Sequence, residues 1–407
     1  MQAGLRTQSA SFSAGATLPP FVCPVVSFAS VHHHIASTPP LFDGLACFGR
    51  QRHGARAVTV AAAEGGGTGG GSGAAGRGGG GGSHGDGGDN NGSGNQRPGR
   101  RRWGLPALLG AGAFCYLGGL WVVASVWDAW LDATSPRVDM SAASVSVIIP
   151  AINEERVIGD TVRQVLREWD PPPLEVIVAD GGSTDGTVEA ARKAGARIVR
   201  CGRGRGLQMN AGAAAAAGQL LLFLHADTLL PVDAVACVRE DFSIPRTVLV
   251  GFQPLIIDGG RPMWFSTFNN WAKTYYGPML LRPASYVRGL RIMFGDQGLC
   301  CRAADFRAVG CYRAALPLME DAELCLDLHN AGPLQGHGHS RSGSGCGARG
   351  RVRMRQDRAA ATSGRRIAAW GELRANCIFA YIALLWLGGA APEELRAVQR
   401  RLYHDIR

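Results

Sequence analysis

From Ser144 onward the chain is a series of short apolar runs, each stopping on polar residues. SVSVIIP, Ser144 to Pro150, is a β-branched run closed by proline, which predicts a buried strand and its exit. Asn153, Glu154 and Glu155 then open a segment, Val157 to Trp169, whose apolar residues recur at helical spacing until Asp170 to Pro173 ends it. LEVIVAD, Leu174 to Asp180, predicts a second strand, GGSTDG a turn, the residues through Lys193 a helix, and ARIV, Ala196 to Val199, a third strand. After the glycine-rich CGRGRG turn come a helix over Leu207 to Ala217 and a strand over Gln219 to Leu224. Strand and helix alternating in this way predict an α/β fold with a mostly parallel central sheet. Such sheets take ligands beyond the carboxyl ends of their strands. Those ends carry polar residues here: Pro150 to Glu154, Asp180 to Asp185, Arg203 to Arg205, and His225 to Asp227.

The polar ends carry candidate chemistry. GGSTDG lacks the G-x-G-x-x-G spacing of a dinucleotide site. Its glycines let backbone approach a bound group closely, and Ser183 or Asp185 can cap the next helix. A cap does not explain Asp180, whose carboxylate suits a nucleobase or ribose hydroxyl. His225 and Asp227 share one face of an extended backbone. They are candidate ligands for Mn²⁺ or Mg²⁺, and the imidazole favours Mn²⁺. The competing reading makes Asp227 a helix cap and His225 a satisfied imidazole. Further on, LPLMEDAEL places Glu320 and Asp321 at a helix start, where an acidic residue is either a cap or a general base for an incoming hydroxyl.

The rest of the chain is uneven. Residues 1–60 hold a single acidic residue, Asp43, against Arg6, Arg50, Arg52 and Arg56, which reads as a transit peptide or a disordered leader. Residues 61–100 form a Gly-rich linker with almost nothing to bury. WGLPALLGAGAFCYLGGLWVVASVW, residues 103–127, lacks any charge, has Trp at both ends and follows Arg100 to Arg102; it reads as a transmembrane helix. CIFAYIALLWLGGA, Cys377 to Ala390, is too short to span and reads as a buried or interfacial helix, followed by an amphipathic helix over Leu395 to Tyr403. The 11 cysteines form no CxxC pattern, which argues against a zinc cluster or a disulfide framework. The formal charge of +10 brings no aromatic interleaving or basic helix that would favour nucleic acid. A Gly/Ser/Arg-rich stretch, residues 337–350, reads as a loop insertion, and its His337 and His339 as solvent-exposed.

The motifs in order, SVIIPAINEE, EVIVADGGSTDGT, GRGRGLQMNAGA, LLFLHADT, FGDQGLCCR, LMEDAEL and TSGRR, resemble glycosyltransferase family 2, in particular the radical-SAM/selenodomain-associated transferase 2 subgroup. The resemblance covers Ser144 to roughly the C-terminus, residues 144–407. It implies a GT-A fold and inverting transfer of a sugar from a nucleoside-diphosphate sugar to an acceptor hydroxyl on a lipid, glycan or small molecule. Asp180, Asn153 and Glu154 resemble the residues that read the nucleoside, and His225 with Asp227 the metal-binding D-x-D, its first Asp replaced by His. Asp321 resembles the catalytic base and Glu320 its companion. Asp296 and Gln297 look like acceptor-side or loop-ordering residues. Arg205, Arg365 and Arg366 stand where a diphosphate is touched, although the 337–350 insertion bears on how closely the last two approach it. Two other readings compete. A sugar-phosphate nucleotidyltransferase would want a Gly-rich basic loop after the first strand, where AINEE stands; a non-catalytic membrane-associated member would not need Asp180, Asp227 and Asp321 together. The leader and anchor place the protein at an organelle membrane, a plastid before a mitochondrion.

Overall fold

The computed structural model describes residues 105–334 and 349–402. The leader, the Gly-rich linker, the start of the 103–127 stretch and all but the end of the 337–350 insertion lie outside those residues.

The first strand–helix units form as the apolar pattern predicts. Strand β1 (Val145–Ala151) leads to α2 (Glu155–Arg167), β2 (Glu175–Asp180) to α3 (Thr187–Ala194), and β3 (Arg197–Arg200) to α4 (Arg205–Ala215), before β4 (Leu220–Phe223). In spatial order they run β3-β2-β1-β4, all parallel. Alternate residues of β1 serve opposite faces. Val145, Val147 and Ile149 join a core with α2 and with α5 (Ala234–Phe242), while Ile148 meets Met209 and Ala213 of α4 on the other side. Gly212 makes the second contact possible, since a Cβ there would come within 2.4 Å of Ile148 Cγ2.

Beyond β4 the expectation of a mostly parallel sheet fails. The nine-stranded sheet is mixed: β8 (Leu299–Arg302) enters antiparallel between β4 and the long β6 (Thr247–Asp258). β9 (Arg351–Ser363) runs parallel to β6 and antiparallel to the short β5 (Thr228–Leu229), and β7 (Arg261–Pro262) folds back on β6. The reason lies in the connections. The first half is built of βα units, whose crossovers return strands in one direction, and the second half is not.

The remaining helices shape the open end of the sheet: α6 (Trp264–Leu281), α7 (Pro283–Val287), α8 (Ala303–Ala308), α9 (Glu320–Ala331), α10 (Arg365–Trp370), α11 (Glu372–Leu387) and α12 (Pro392–Leu402). The 377–390 stretch therefore lies largely within α11, whose Ala375, Asn376, Ile378 and Ile382 are buried.

The stretch 103–127 departs from its reading as a transmembrane span. Among the described residues, no helix is long and apolar enough to cross a membrane. α1 (Leu105–Thr134) is 30 residues long, but glycines dilute its apolar content and its end is docked on the α/β domain. Ala124 and Leu131 are buried, and Asp128 and Asp132 pair with Arg291, Arg351 and Arg353.

Candidate active site

The carboxyl ends of β1 and β2 are held together by one side chain. Buried Gln208 of α4 donates from Nε2 to the carbonyls of Ala151 (2.9 Å) and Ala179 (3.0 Å). The GGSTDG turn is ordered from within: Asp180 accepts from the backbone N–H of Gly182 and Ser183, and Asn153 Oδ1 accepts from that of Thr184 at 2.9 Å. Asp185 caps α3 through Thr187 N–H at 3.0 Å. Burial raises the Asp185 pKa and the Thr187 hydroxyl and nearby amides lower it, the net direction being down. Asp180 and Asn153 thus organise the loop, and neither lines the cavities described next.

Two cavities meet at the open end of the sheet. The larger, about 650 Å³, is cationic: Arg203, Arg205, Arg365, Arg366, Arg396 and Arg400 line it, facing Glu154 and Asp227. The smaller, about 230 Å³, lies between α6 and α11 and contains Asn270, Lys273, Phe294, Asp296, Asp321 and Phe379. Arg205, His225, Asp227, Leu318, Ser363 and Arg366 border both. The HAD segment after β4 therefore stands at the junction, as its position at a strand end predicts.

The cationic cavity gathers residues distant in sequence. Antiparallel pairing of β5 with β9 sets Ser363 against Asp227, whose carbonyl accepts from Ser363 N–H at 3.2 Å. α10 begins two residues later, so the Arg365 guanidinium lies 3.4 Å from Asp227 Oδ2 and 3.6 Å from Glu154 Oε2. The insertion before β9 does not keep Arg365 from the junction. Arg205, at the start of α4, pairs with Glu320 at 3.3 Å. Arg396 and Arg400 come from α12, and sequence reading missed them; the clue was their spacing on an amphipathic C-terminal helix.

In the smaller cavity a short 3₁₀ turn, Gly295–Gln297, is the central piece. Gly295 N–H donates to Asp321 Oδ2 at 2.9 Å. A Cβ on Gly295 would lie 2.4 Å from His225 Nε2 and 3.1 Å from Asp321 Oδ2, so only glycine lets the turn pass between them. Gln297 is fully buried and faces away; its Nε2 donates to Phe252 O at 3.3 Å and fixes the turn against β6. It orders the loop and lines neither cavity. Asp296 does line the smaller one, accepting from Asn270 Nδ2 at 2.5 Å.

Electrostatics single out Asp321. Both it and Glu320 are buried at the start of α9. Burial, then the neighbouring Glu320 charge, pushes the Asp321 pKa far above the usual carboxylate range, while Arg205 pulls it down. Its Oδ1 is buried without a hydrogen-bond partner. Asp296 is likewise raised by burial, with Lys273 opposing, and its Oδ1 also has no partner. The Lys273 ammonium sits over the rings of Phe294 (5.1 Å) and Phe379 (5.5 Å), its pKa lowered by burial. Sequence reading missed Lys273 and Asn270, which lie on a helix with no motif.

The residues present fit a divalent ion in one respect. Among the described residues no three His, Cys, Asp or Glu side chains converge as a ready-made metal cage. A Mg²⁺- or Mn²⁺-type ion that completes its shell with substrate phosphates and water needs only one or two protein ligands. Asp227, on the wall shared with the cationic cavity, offers one.

The fold and the site define an α/β protein with an arginine-lined cavity beside a chamber holding a raised-pKa carboxylate. Residues 146–303 match the model of the family described as Glycosyl transferase family 2. The chain is 28% identical over 206 residues to the succinoglycan biosynthesis protein ExoA of Rhizobium meliloti (strain 1021), covering 48% of this chain and 60% of that protein. It is 31% identical over 127 residues to a glucosyl-3-phosphoglycerate synthase of Mycolicibacterium paratuberculosis, covering 28% of this chain and 38% of the other. It thus spans less than two thirds of either relative. Among solved structures, a mannosyltransferase from Pyrobaculum calidifontis in complex with GDP-Man and Mn²⁺ superposes with a TM-score of 0.42 at 18% identity, over 63% of this chain and 68% of that one. The likeness to glycosyltransferase family 2 thus runs over residues 146–303 of this chain.

Proposed function

We propose that this chain is an inverting glycosyltransferase that moves a sugar from a nucleoside-diphosphate sugar to an acceptor hydroxyl. One observation carries the reading: a six-arginine cavity and a chamber holding Asp321 share the wall formed by Arg205, His225 and Asp227. Arg203, Arg205, Arg365 and Arg366 bind the donor diphosphate, with Glu154 near the nucleoside. The acceptor lies in the smaller chamber beside Asp296. Asp321 takes the proton from the acceptor hydroxyl, whose oxygen bonds to the anomeric carbon as the bond from that carbon to the diphosphate breaks. Its raised pKa suits a general base working near neutrality. Asp227, with His225 beside it, would hold Mn²⁺ or Mg²⁺, which when bound neutralises charge on the departing diphosphate. The ordered motifs and the HAD in place of D-x-D favour the radical-SAM/selenodomain-associated transferase 2 subgroup.

Incubating the protein with a panel of nucleotide sugars and Mn²⁺ tests the reading. Donor-selective release of nucleoside diphosphate, lost in Asp227→Asn, is the expected result; release of pyrophosphate instead would point to nucleotidyl transfer. For residues 1–60 we propose organelle targeting, checked by where those residues carry a fluorescent protein.

A further inference from the structure

Most of the exposed large apolar side chains among the described residues sit on three helices that touch in sequence, α1 against α6 and α6 against α11. On α1 the exposed Tyr116, Val123, Trp127 and Trp130 follow helical spacing along one stripe, while Ala124 and Leu131, on the flank beside it, are buried. α6 exposes Phe265, Phe268, Tyr276 and Leu280 at helical spacing along one stripe, and α11 exposes Tyr381 and Leu384. Scattered apolar residues on a surface are ordinary, but a cluster shared by neighbouring helices marks an interface.

Charge identifies what covers it. From Gly259 to Gly295 there is no acidic residue, while Arg261, Arg282 and Arg288 in that span are exposed, as is Arg374 on α11. The acidic residues of the three helices are turned to partners within the protein: Asp128 and Asp132 to arginines, Glu372 to Ser266. A second copy seated on this face would set arginine against arginine. Residues 1–60 offer one acidic side chain and cannot neutralise the rim. An apolar surface with Trp and Tyr and a basic border is complementary to an anionic bilayer, entered to the depth of the headgroups.

We propose that this face docks on an anionic lipid surface, with α1, α6 and α11 lying on the bilayer rather than crossing it. The smaller chamber lies between α6 and α11, so docking brings it to the lipid boundary. The proposal does not depend on the transfer reading, and its test measures binding alone. The full chain is floated with vesicles of phosphatidylcholine, or of phosphatidylcholine mixed with phosphatidylglycerol, alongside a Trp130→Ser/Phe265→Ser/Leu280→Ser variant and an Arg282→Glu/Arg288→Glu variant. All keep residues 1–104, so a difference between them belongs to this face. Wild type should bind the mixed vesicles and release with salt. The apolar variant should partition on the order of a hundredfold less, and the charge variant about fivefold less per charge removed, on mixed vesicles only. Equal partitioning of wild type and the apolar variant overturns the proposal. So does self-association of the wild type without vesicle binding, abolished in the apolar variant, which would mean that a second copy covers the face.

Discussion

At the scale of single residues, the site spends stability on chemistry. Asp321 is a buried carboxylate whose folded-state pKa, pushed up to about 7, lies above its unfolded value. The native state therefore holds this proton more tightly than the unfolded chain. Stability falls as pH rises from the unfolded value near 4 through the folded one. Asp321→Asn removes the penalty. It should raise stability at pH 8 by on the order of 2 to 4 kcal/mol while lowering transfer by about a hundredfold or more. Denaturant melts at two pH values and a turnover assay read the two effects apart, and a variant that loses activity without gaining stability at pH 8 would contradict the assignment. The acid limb of kcat/KM should follow the same group: activity rises with pH towards neutrality, and Glu320→Gln moves that limb down because a neighbouring negative charge is gone. Gly295 is the second sensitive position. A methyl there would overlap His225 and crowd Asp321, so Gly295→Ala should cut kcat strongly while leaving donor affinity, set in the arginine-lined cavity, nearly intact. Titration calorimetry with the donor's nucleoside diphosphate checks the second half of that statement.

At the scale of elements, what was legible in the sequence is what local pattern encodes. The first four strands and three helices fell within a few residues of their predicted bounds because β1, β2 and β4 bury both faces in near-continuous apolar runs, and the edge strand β3, only half-buried, is bracketed by the helices on either side. β6 and β9 escaped detection. β6 contains Gln253 and Pro254, and β9 alternates arginine with apolar residues, R-V-R-M-R, which reads as a basic loop until its partners are known. Those partners, Asp128, Asp132 and Asp241, are far away in sequence. The site divides in the same way. Glu154, His225, Asp227, Arg205 and Asp321 stand at or just beyond strand or helix ends, where local pattern makes a residue legible, and Asp296 stands in the 3₁₀ turn before β8. Asp180 and Gln297 hydrogen-bond within the turns they occupy and line neither cavity. Lys273 and Asn270 were invisible, since only tertiary packing turns that side of α6 to the chamber. Gln208 shows the cost of such an arrangement. Gln208→Leu takes one hydrogen bond from each of two carbonyls, those of Ala179 and of Ala151, which keeps the Gly181 N–H at 3.0 Å, and should cost about 1–2 kcal/mol, a fall of about 2–6 °C in Tm for a domain of this size. A melt unchanged within error would mean that water replaces the amide.

At the scale of the whole molecule, α1 and the site share one strand. Arg351 and Arg353 at the start of β9 hold α1 through Asp128 and Asp132, with contacts of 2.6 to 2.9 Å, and the other end of β9 delivers Arg365 to Asp227. Arg351 is only 3% exposed, and without Asp132 it keeps Asp128 alone while Arg353 keeps Asp241 alone. Breaking a fully buried pair costs about 3–5 kcal/mol; Asp132 keeps some contact with solvent and both arginines keep a second carboxylate, so Asp132→Ala should cost about 1–2 kcal/mol. The pH dependence follows from the Asp132 carboxyl. Burial raises its pKa, the hydrogen bond and charge of Arg353 lower it, then those of Arg351, and the net direction is down. A depressed carboxyl pKa contributes stability that is present above the unfolded value near 4 and is lost as pH falls through the lower folded value. Acid should therefore loosen α1 from β9. Trp121 reports it, since it packs with Ala124 against Met279 and Tyr286. In wild type the tryptophan emission should shift to the red only in acid, ahead of loss of the far-ultraviolet circular dichroism signal, and in Asp132→Ala it should already be shifted at pH 7. If the variant's emission at pH 7 matches wild type, the helix is held by its apolar contacts alone, and the ion pairs serve to orient β9 rather than to secure α1.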